Sequence, residues 1–229
     1  MNLQLGGLLL VAALFTSSST LTPGCRFLLP PFSLTDPSTM YGRWNLLAGF
    51  SDCEILNATS SKNLSSWLNI AQSPNPNEFV LTQHDRINGT CVVTSMTVTV
   101  DGDTATMSFG NVSSQFQLRP ACDDCLFMKM NSTVRNLNKM LQGTNFDGKI
   151  TGDETSFRHF YLIARESRMQ DWELGRFKLP NSELEGSEYS ELEIFKQQAS
   201  CFGFSREPAF QHDPKNEFCA EGEGVKITI

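Results

Sequence analysis

Between residues 42 and 178 apolar and polar side chains alternate in short runs, and clusters of Gly, Pro, Asn, Asp and Ser break the runs apart. A period of two is the signature of half-buried strands. It is plain in FVLTQHD (79–85), CVVTSMTVTV (91–100), ATMSF (105–109) and FRHFYLIAR (157–165). YGRWNLLAGF (41–50) opens the pattern, and SSWLNIA (65–71), SQFQL (114–118), CLFMKM (125–130) and WELGRFKL (172–179) continue it. DGD at 101–103 predicts a hairpin turn, because Asp-Gly tolerates the positive φ that a primed turn requires. With 104–119 read as one long bent strand, the chain predicts eight strands. Residues 132–156 have no clear period and read as a long connection.

The pattern changes after residue 180. Asn181 or Ser182 offers a helix cap, acidic residues follow it, and Tyr189, Leu192, Phe195 and Ala199 recur at three- and four-residue steps. A helix over about 182–200 is predicted, with Gly203 ending it and an irregular tail from 203 to 229. Eight antiparallel strands of this length close into an up-and-down barrel that has no free edge and has room for one small ligand. The expected fold is therefore all-β: an eight-stranded antiparallel up-and-down barrel over about 42–179, with one C-terminal α-helix packed on the outside. Trp44 would plug its closed end and Gly42 would let the chain pass close beneath. Leu46, Ala48 and Phe50 would follow Trp44 on the inward face.

Composition places this barrel outside the cell. Residues 8–15 form an apolar run followed by small residues, about the length of a signal-peptide core and too short to span a bilayer. We expect residues 1–19 to be a removed leader and 20–229 a single secreted domain with no membrane span. The net charge of −7 and the lack of a basic cluster argue against nucleic acid as a partner. Asn-x-Ser/Thr sequons at Asn57, Asn63, Asn88, Asn111 and Asn131 mark candidate glycan sites on surface segments. Seven cysteines in an oxidising compartment read first as disulfides, and the odd count leaves one over. CDDC at 122–125 lacks a second pair or histidines at ligand spacing, so no metal is expected. No cofactor is expected either.

Gly42 and Trp44, the eight-strand count and the helix after the last strand together resemble the lipocalins. Within that family the chain resembles the branch of α1-acid glycoprotein (orosomucoid) and apolipoprotein M. Cys25 before the first strand, Cys91 opening the fourth, Cys201 ending the helix and Cys219 in the tail follow that branch in order. SSW and CDDCL are similar to the pufferfish plasma proteins that sequester saxitoxin and tetrodotoxin. The resemblance implies Cys25–Cys201 and Cys91–Cys219 bridges, and a basic residue over the floor tryptophan, either Arg176 or Lys178. Cys53 is left to bridge Cys122 or Cys125 across the barrel mouth, or to stand aside from a local Cys122–Cys125 link.

Period two then gives the inward set. With Cys91 turned out, Met96 and Val98 point in, alongside Val92, Thr94 and Val100. Leu68 and Ile70, Phe79 and Leu81, Leu126 and Met128, Phe160 and Leu162, and Phe177 face the cavity by the same rule. Residues near the floor pack on one another, whereas Met96, Met128 and Phe50 fit an adaptable apolar binding surface near the mouth. Gln83 and Asp85 either supply polar contacts inside or face solvent, and Trp67 is left unplaced. Prostaglandin D synthase, an enzyme of this fold, uses a nucleophilic cysteine on its second strand. Residues 65–71 contain none, and His84, His159 and His212 form no recognisable set with Cys53, so catalysis is not expected. The function expected is a secreted carrier of a small hydrophobic or amphipathic molecule. The alternative is an acute-phase-type glycoprotein that binds a protein partner such as a cell-surface receptor and has little or no cavity.

Overall fold

The computed structural model of the protein describes residues 25, 30–31, 33–53, 63–122, 124–136, 154–167, 191–204 and 207–227. Eight strands form an antiparallel barrel: β1 (Gly42–Ser51), β2 (Asn63–Gln72), β3 (Glu78–Ile87), β4 (Thr90–Asp101), β5 (Thr104–Phe109), β6 (Val112–Cys122), β7 (Cys125–Arg135) and β8 (Glu154–Ala164). Each pairs with its sequence neighbour, and β8 returns to β1 to close the ring. Helix α1 (Glu191–Cys201) lies outside the barrel, and the tail adds two short strands, β9 (Phe210–Gln211) on β1 and β10 (Val225–Ile227) on β4.

The eight strands are not composed as the pattern suggested. Residues 104–119 make two strands rather than one bent one, because Gly110 at φ 56° and Asn111 turn the chain between Phe109 and Val112. The barrel is complete at β8, so it closes without 172–179. That stretch lies outside the described residues, as do the leader and residues 182–190 of the expected helix. The connection expected over 132–156 is shorter, since β7 runs on to Arg135 and β8 starts at Glu154. The DGD turn is present, with Gly102 at φ 63° between β4 and β5.

Two apolar clusters hold the domain together. Inside the barrel lie Trp44, Leu68, Ile70, Phe79, Leu81, Val98, Phe116, Leu118, Leu126, Met128 and Ile163, with Leu46, Met96, Met107 and Tyr161 packed against them. Outside, Phe195 of α1 stacks on Phe160 at 5.3 Å and meets Phe50 at 5.2 Å and Phe127 at 6.0 Å. Burying that ring fully is worth roughly 1.5–3 kcal/mol.

The outer cluster corrects four expected positions. Alternation predicts that Ala48, Phe50, Phe160 and Leu162 face the cavity, yet all four pack outward in the cluster of α1. The cause is local. The β1–β8 register slips between Leu46 and Ala48, so one extra residue inverts the phase of β1 beyond Leu46. In β8 the inward phase belongs to Tyr161 and Ile163, which leaves Phe160 and Leu162 to the helix.

Three disulfides brace the shell. Cys25–Cys201 ties the N-terminal segment to the end of α1, Cys91–Cys219 ties the tail to β4, and Cys122–Cys125 closes the β6–β7 turn. The last is the local alternative, so neither of its cysteines crosses the mouth to Cys53, whose side chain is buried.

Candidate functional site

The closed end of the barrel is built around Trp44. A 3-10 turn, Pro37–Met40, is capped by Asp36, whose carboxylate accepts from the Ser38 amide at 3.1 Å. It delivers the Met40 carbonyl to the Trp44 indole, which donates to it at 2.7 Å. Leu34 and Met40 are each 1% exposed and seal the floor, and the Leu34 amide is fastened to the Gly102 carbonyl. Gly42 turns the chain into β1 at φ 96°, a value an L side chain rarely adopts.

Among the described residues the cation over this tryptophan is Arg165. Its guanidinium carbon stands 3.9 Å from the Trp44 ring, and its nitrogens donate to the carbonyls of Arg43 at 2.9 Å and Thr39 at 3.1 Å. Arg176 and Lys178, like Phe177, lie outside the described residues. Arg165 directly follows β8, which ends at Ala164. Burial lowers the Arg165 pKa from its ordinary value, with Asp124 opposing, and a guanidinium starting so high stays charged.

Above the floor the barrel is filled before it opens. Phe79, Val98, Phe116 and Leu118 are at most 2% exposed, and Leu68, Ile70, Leu81, Leu126 and Met128 are buried beside them. A chamber of about 250 Å³ follows, lined by Gln83, Thr94, Met96, Met107, Phe109, Val112 and Ser114. Of the three residues expected near the mouth, only Met96 lines it. Met128 belongs to the packed interior and Phe50 lies outside the barrel. Met107, Phe109, Val112 and Ser114 were missed because they flank the turn that splits β5 from β6. The Phe-Gly-Asn-Val sequence at 109–112 was the available signal.

Polar groups stand on the same inner face. Gln83 donates to both oxygens of Asp85 at 3.0 Å, and the Ser114 and Ser132 hydroxyls meet at 2.8 Å. Ser66, paired in register with Asp85, is fully buried, and its hydroxyl has no hydrogen-bond partner among the described residues. Burial, then the charges of Asp85 and Cys53, pushes the Tyr161 phenol above its ordinary pKa, so it stays a neutral donor. His159 stacks on Tyr161 at 5.8 Å, and burial holds it neutral with a pKa lowered to about 4.

The outer wall finds a place for Trp67. Its ring stacks on His84 at 3.8 Å beneath the guanidinium of Arg43, and its indole donates to the Cys219 carbonyl at 2.9 Å. Ser65 donates to the Glu217 carbonyl and Arg86 to those of Glu217 and Phe218, so the tail is strapped to the outside of β2 and β3. His84 therefore belongs to the strap, whereas His159 belongs to the barrel interior. Asn88, Asn111 and Asn131 are exposed. Asn57 and the side chain of Asn63 lie outside the described residues. No helix among the described residues is long and apolar enough to cross a membrane.

No protein-family model and no curated protein matches the sequence. Solved structures similar to the chain include siderocalin Q83, at 12% identity over 79% of this chain and 96% of that one, with a TM-score of 0.46. The siderocalin Ex-FABP is 13% identical over 72% of this chain and 87% of its own, with a TM-score of 0.44. The bovine lipocalin allergen Bos d 2 is 14% identical over 59% and 78% of the two chains, with a TM-score of 0.40.

Proposed function

We propose that this protein is a secreted carrier, which holds one small, largely apolar molecule in the chamber above the filled half of the barrel. The observation that carries the reading is the chamber lining. Met96, Met107, Phe109 and Val112 supply an apolar wall, while Gln83, Thr94 and Ser114 set a few polar groups into it. That mixture, many apolar atoms and few converging hydrogen-bonding groups, is what small-molecule sites share. Two methionines let the wall adapt its shape at low cost. The work done is burial: the ligand leaves water, and no bond in it changes.

Supporting features lie along the whole chain. The apolar leader, the disulfides and the exposed sequons at Asn88, Asn111 and Asn131 fit a glycoprotein made in the secretory pathway. One observation favours the second reading, a secreted glycoprotein that binds a protein or receptor. The chamber is smaller than the range of about 300–1,000 Å³ usual for ligand sites.

Displacement of a polarity-sensitive apolar fluorophore separates the two. The carrier reading expects micromolar or tighter binding by the wild type. Met96→Glu should abolish it, since the change sets a carboxylate into the apolar wall of the chamber, while the far-UV spectrum stays that of the wild type. Ala48→Glu, on the outer face under α1, should perturb stability instead. Absence of probe binding by wild-type protein, with no small molecule seen by native mass spectrometry of material from its source, would leave the receptor-binding reading in its place.

A further inference from the structure

Strand β4 has two edges. One is paired with β3 from Glu78 and Thr99 up to Ile87 and Thr90. The other is divided: β5 takes Val98–Asp101 and β10 takes Val92, Val93 and Thr94. Between them Ser95, Met96 and Thr97 have no strand on that side among the described residues. Across the gap Ser108 and Phe109 pair with β6 alone. Among the described residues the barrel wall is thus split by a wedge, a hollow of about 510 Å³ on its flank.

Three residues line both this wedge and the inner chamber: Met96, Met107 and Phe109. The two spaces adjoin, and flexible methionine side chains stand at their boundary. Hydroxyls of Ser95, Thr97, Thr99, Thr106 and Ser108 dominate the rest of the wedge, and Lys226 of β10 is the one charged residue in its lining among the described residues. Its far wall is the C-terminal strand. Ile227 sits there, 44% exposed, in register with Thr94 of the inner face. Gly224 brings this strand in: a Cβ at that position would lie 2.8 Å from the Cys91 carbonyl oxygen, so a larger residue would push β10 off β4.

We propose that the ligand of the chamber passes through the barrel wall and ends in the wedge, so that the site takes a single-chain amphiphile. Its alkyl chain lies among Met96, Met107, Phe109 and Val112, and its polar head lies among the wedge hydroxyls beside Lys226. The charges set this direction. Asp85 on the inner face repels an anionic head, and Lys226 outside attracts one. Size agrees, because the chamber alone falls short of an ordinary ligand site and the wedge supplies the missing length. The proposal rests on the carrier reading and adds the route and the class of ligand.

Saturated fatty acids from octanoate to palmitate, competed against an apolar fluorophore, test it on the full secreted chain. Wild-type affinity should rise by roughly fourfold per added methylene until chamber and wedge are both full. Lys226→Glu should weaken every acid by about fivefold, the scale of one exposed ion pair, and leave the matching n-alcohols unchanged. Ser108→Trp, an exposed change that fills the wedge where the head lies, should weaken acids and n-alcohols alike. Palmitate binding that both variants leave untouched, while Met96→Glu abolishes it, would overturn the wedge and keep the carrier. A wild type that binds no apolar probe removes the carrier reading and this proposal together.

Discussion

Replacing Arg165 with Met keeps an apolar stem over the floor of the barrel and removes the charge. The loss can be assembled from the contacts. A guanidinium 3.9 Å from an indole ring contributes roughly 0.5–2 kcal/mol. The two hydrogen bonds to the Arg43 and Thr39 carbonyls add about 0.5 kcal/mol each, the low end for a partly exposed donor. The expected cost of R165M is therefore about 2 kcal/mol. Trp44→Ala should cost roughly 3–5 kcal/mol, as large aromatic truncations in cores do. It also leaves the Met40 carbonyl without its indole donor. In the double variant the cation–π part is lost only once, so the cycle should return a coupling of roughly 0.5–2 kcal/mol. Urea unfolding followed by far-UV circular dichroism measures all four corners, provided the slope with denaturant stays constant. R176M and K178M serve as controls and should each fall within about 0.5 kcal/mol of the wild type. A coupling near zero, or a loss in R176M or K178M that matches R165M, would show that Arg165 does not close the floor.

Sequence carried the parts of this fold that repeat and lost the parts where the repeat slips. Alternation placed Leu68, Ile70, Phe79, Leu81, Val98, Leu126 and Met128 in the barrel interior, because the register shifts of β2 and β7 fall outside these stretches. In β8, paired with β7 without a shift, the phase itself was misread. In β1 the phase holds through Trp44 and Leu46 and then inverts, and nothing in Leu-Leu-Ala-Gly-Phe marks the extra residue. The approach of α1, whose Phe195 packs on Phe50, makes the inversion favourable, and that contact spans more than a hundred residues. The turn at Gly110 and Asn111 is a different case. Its residue types were legible, but a strand count of eight with 172–179 included left no room for it, and Arg165, directly after β8, was passed over for the same reason. The tail, expected to be irregular, carries two short strands, because two or three residues show too little pattern to name a partner and the Cys91–Cys219 bridge decides where 225–227 land.

Removing the Cys91–Cys219 bridge by C91A/C219A should cost roughly 2–5 kcal/mol. It should also expose the Trp67 indole, visible as a red-shifted emission on denaturant titration; unchanged emission and midpoint would mean that the strap holds without the bridge. Phe195→Ala should cost roughly 3–5 kcal/mol and loosen α1 without changing probe binding, because Phe195 packs on the outer face; loss of binding in a folded variant would refute that placement. The last prediction concerns acid. His159 is 3% exposed, and burial, only partly offset by Asp52, lowers its pKa to about 4. An unfolded histidine titrates near 6.5, so between about pH 6.5 and about pH 4 the unfolded chain binds the extra proton and stability falls as pH falls. The shift corresponds to about 3 kcal/mol, fully present above the upper limit and lost through the lower one. His84 is shifted in the same direction, by burial and then by Arg43, so His159→Phe should reduce the acid slope without abolishing it. The measurement is the difference in unfolding free energy between wild type and variant across that window, with the ring proton of His159 followed by NMR. A His159 that titrates near 6.5 in the folded protein, or a variant whose slope matches the wild type, would mean that the barrel interior does not exclude the proton as its burial demands.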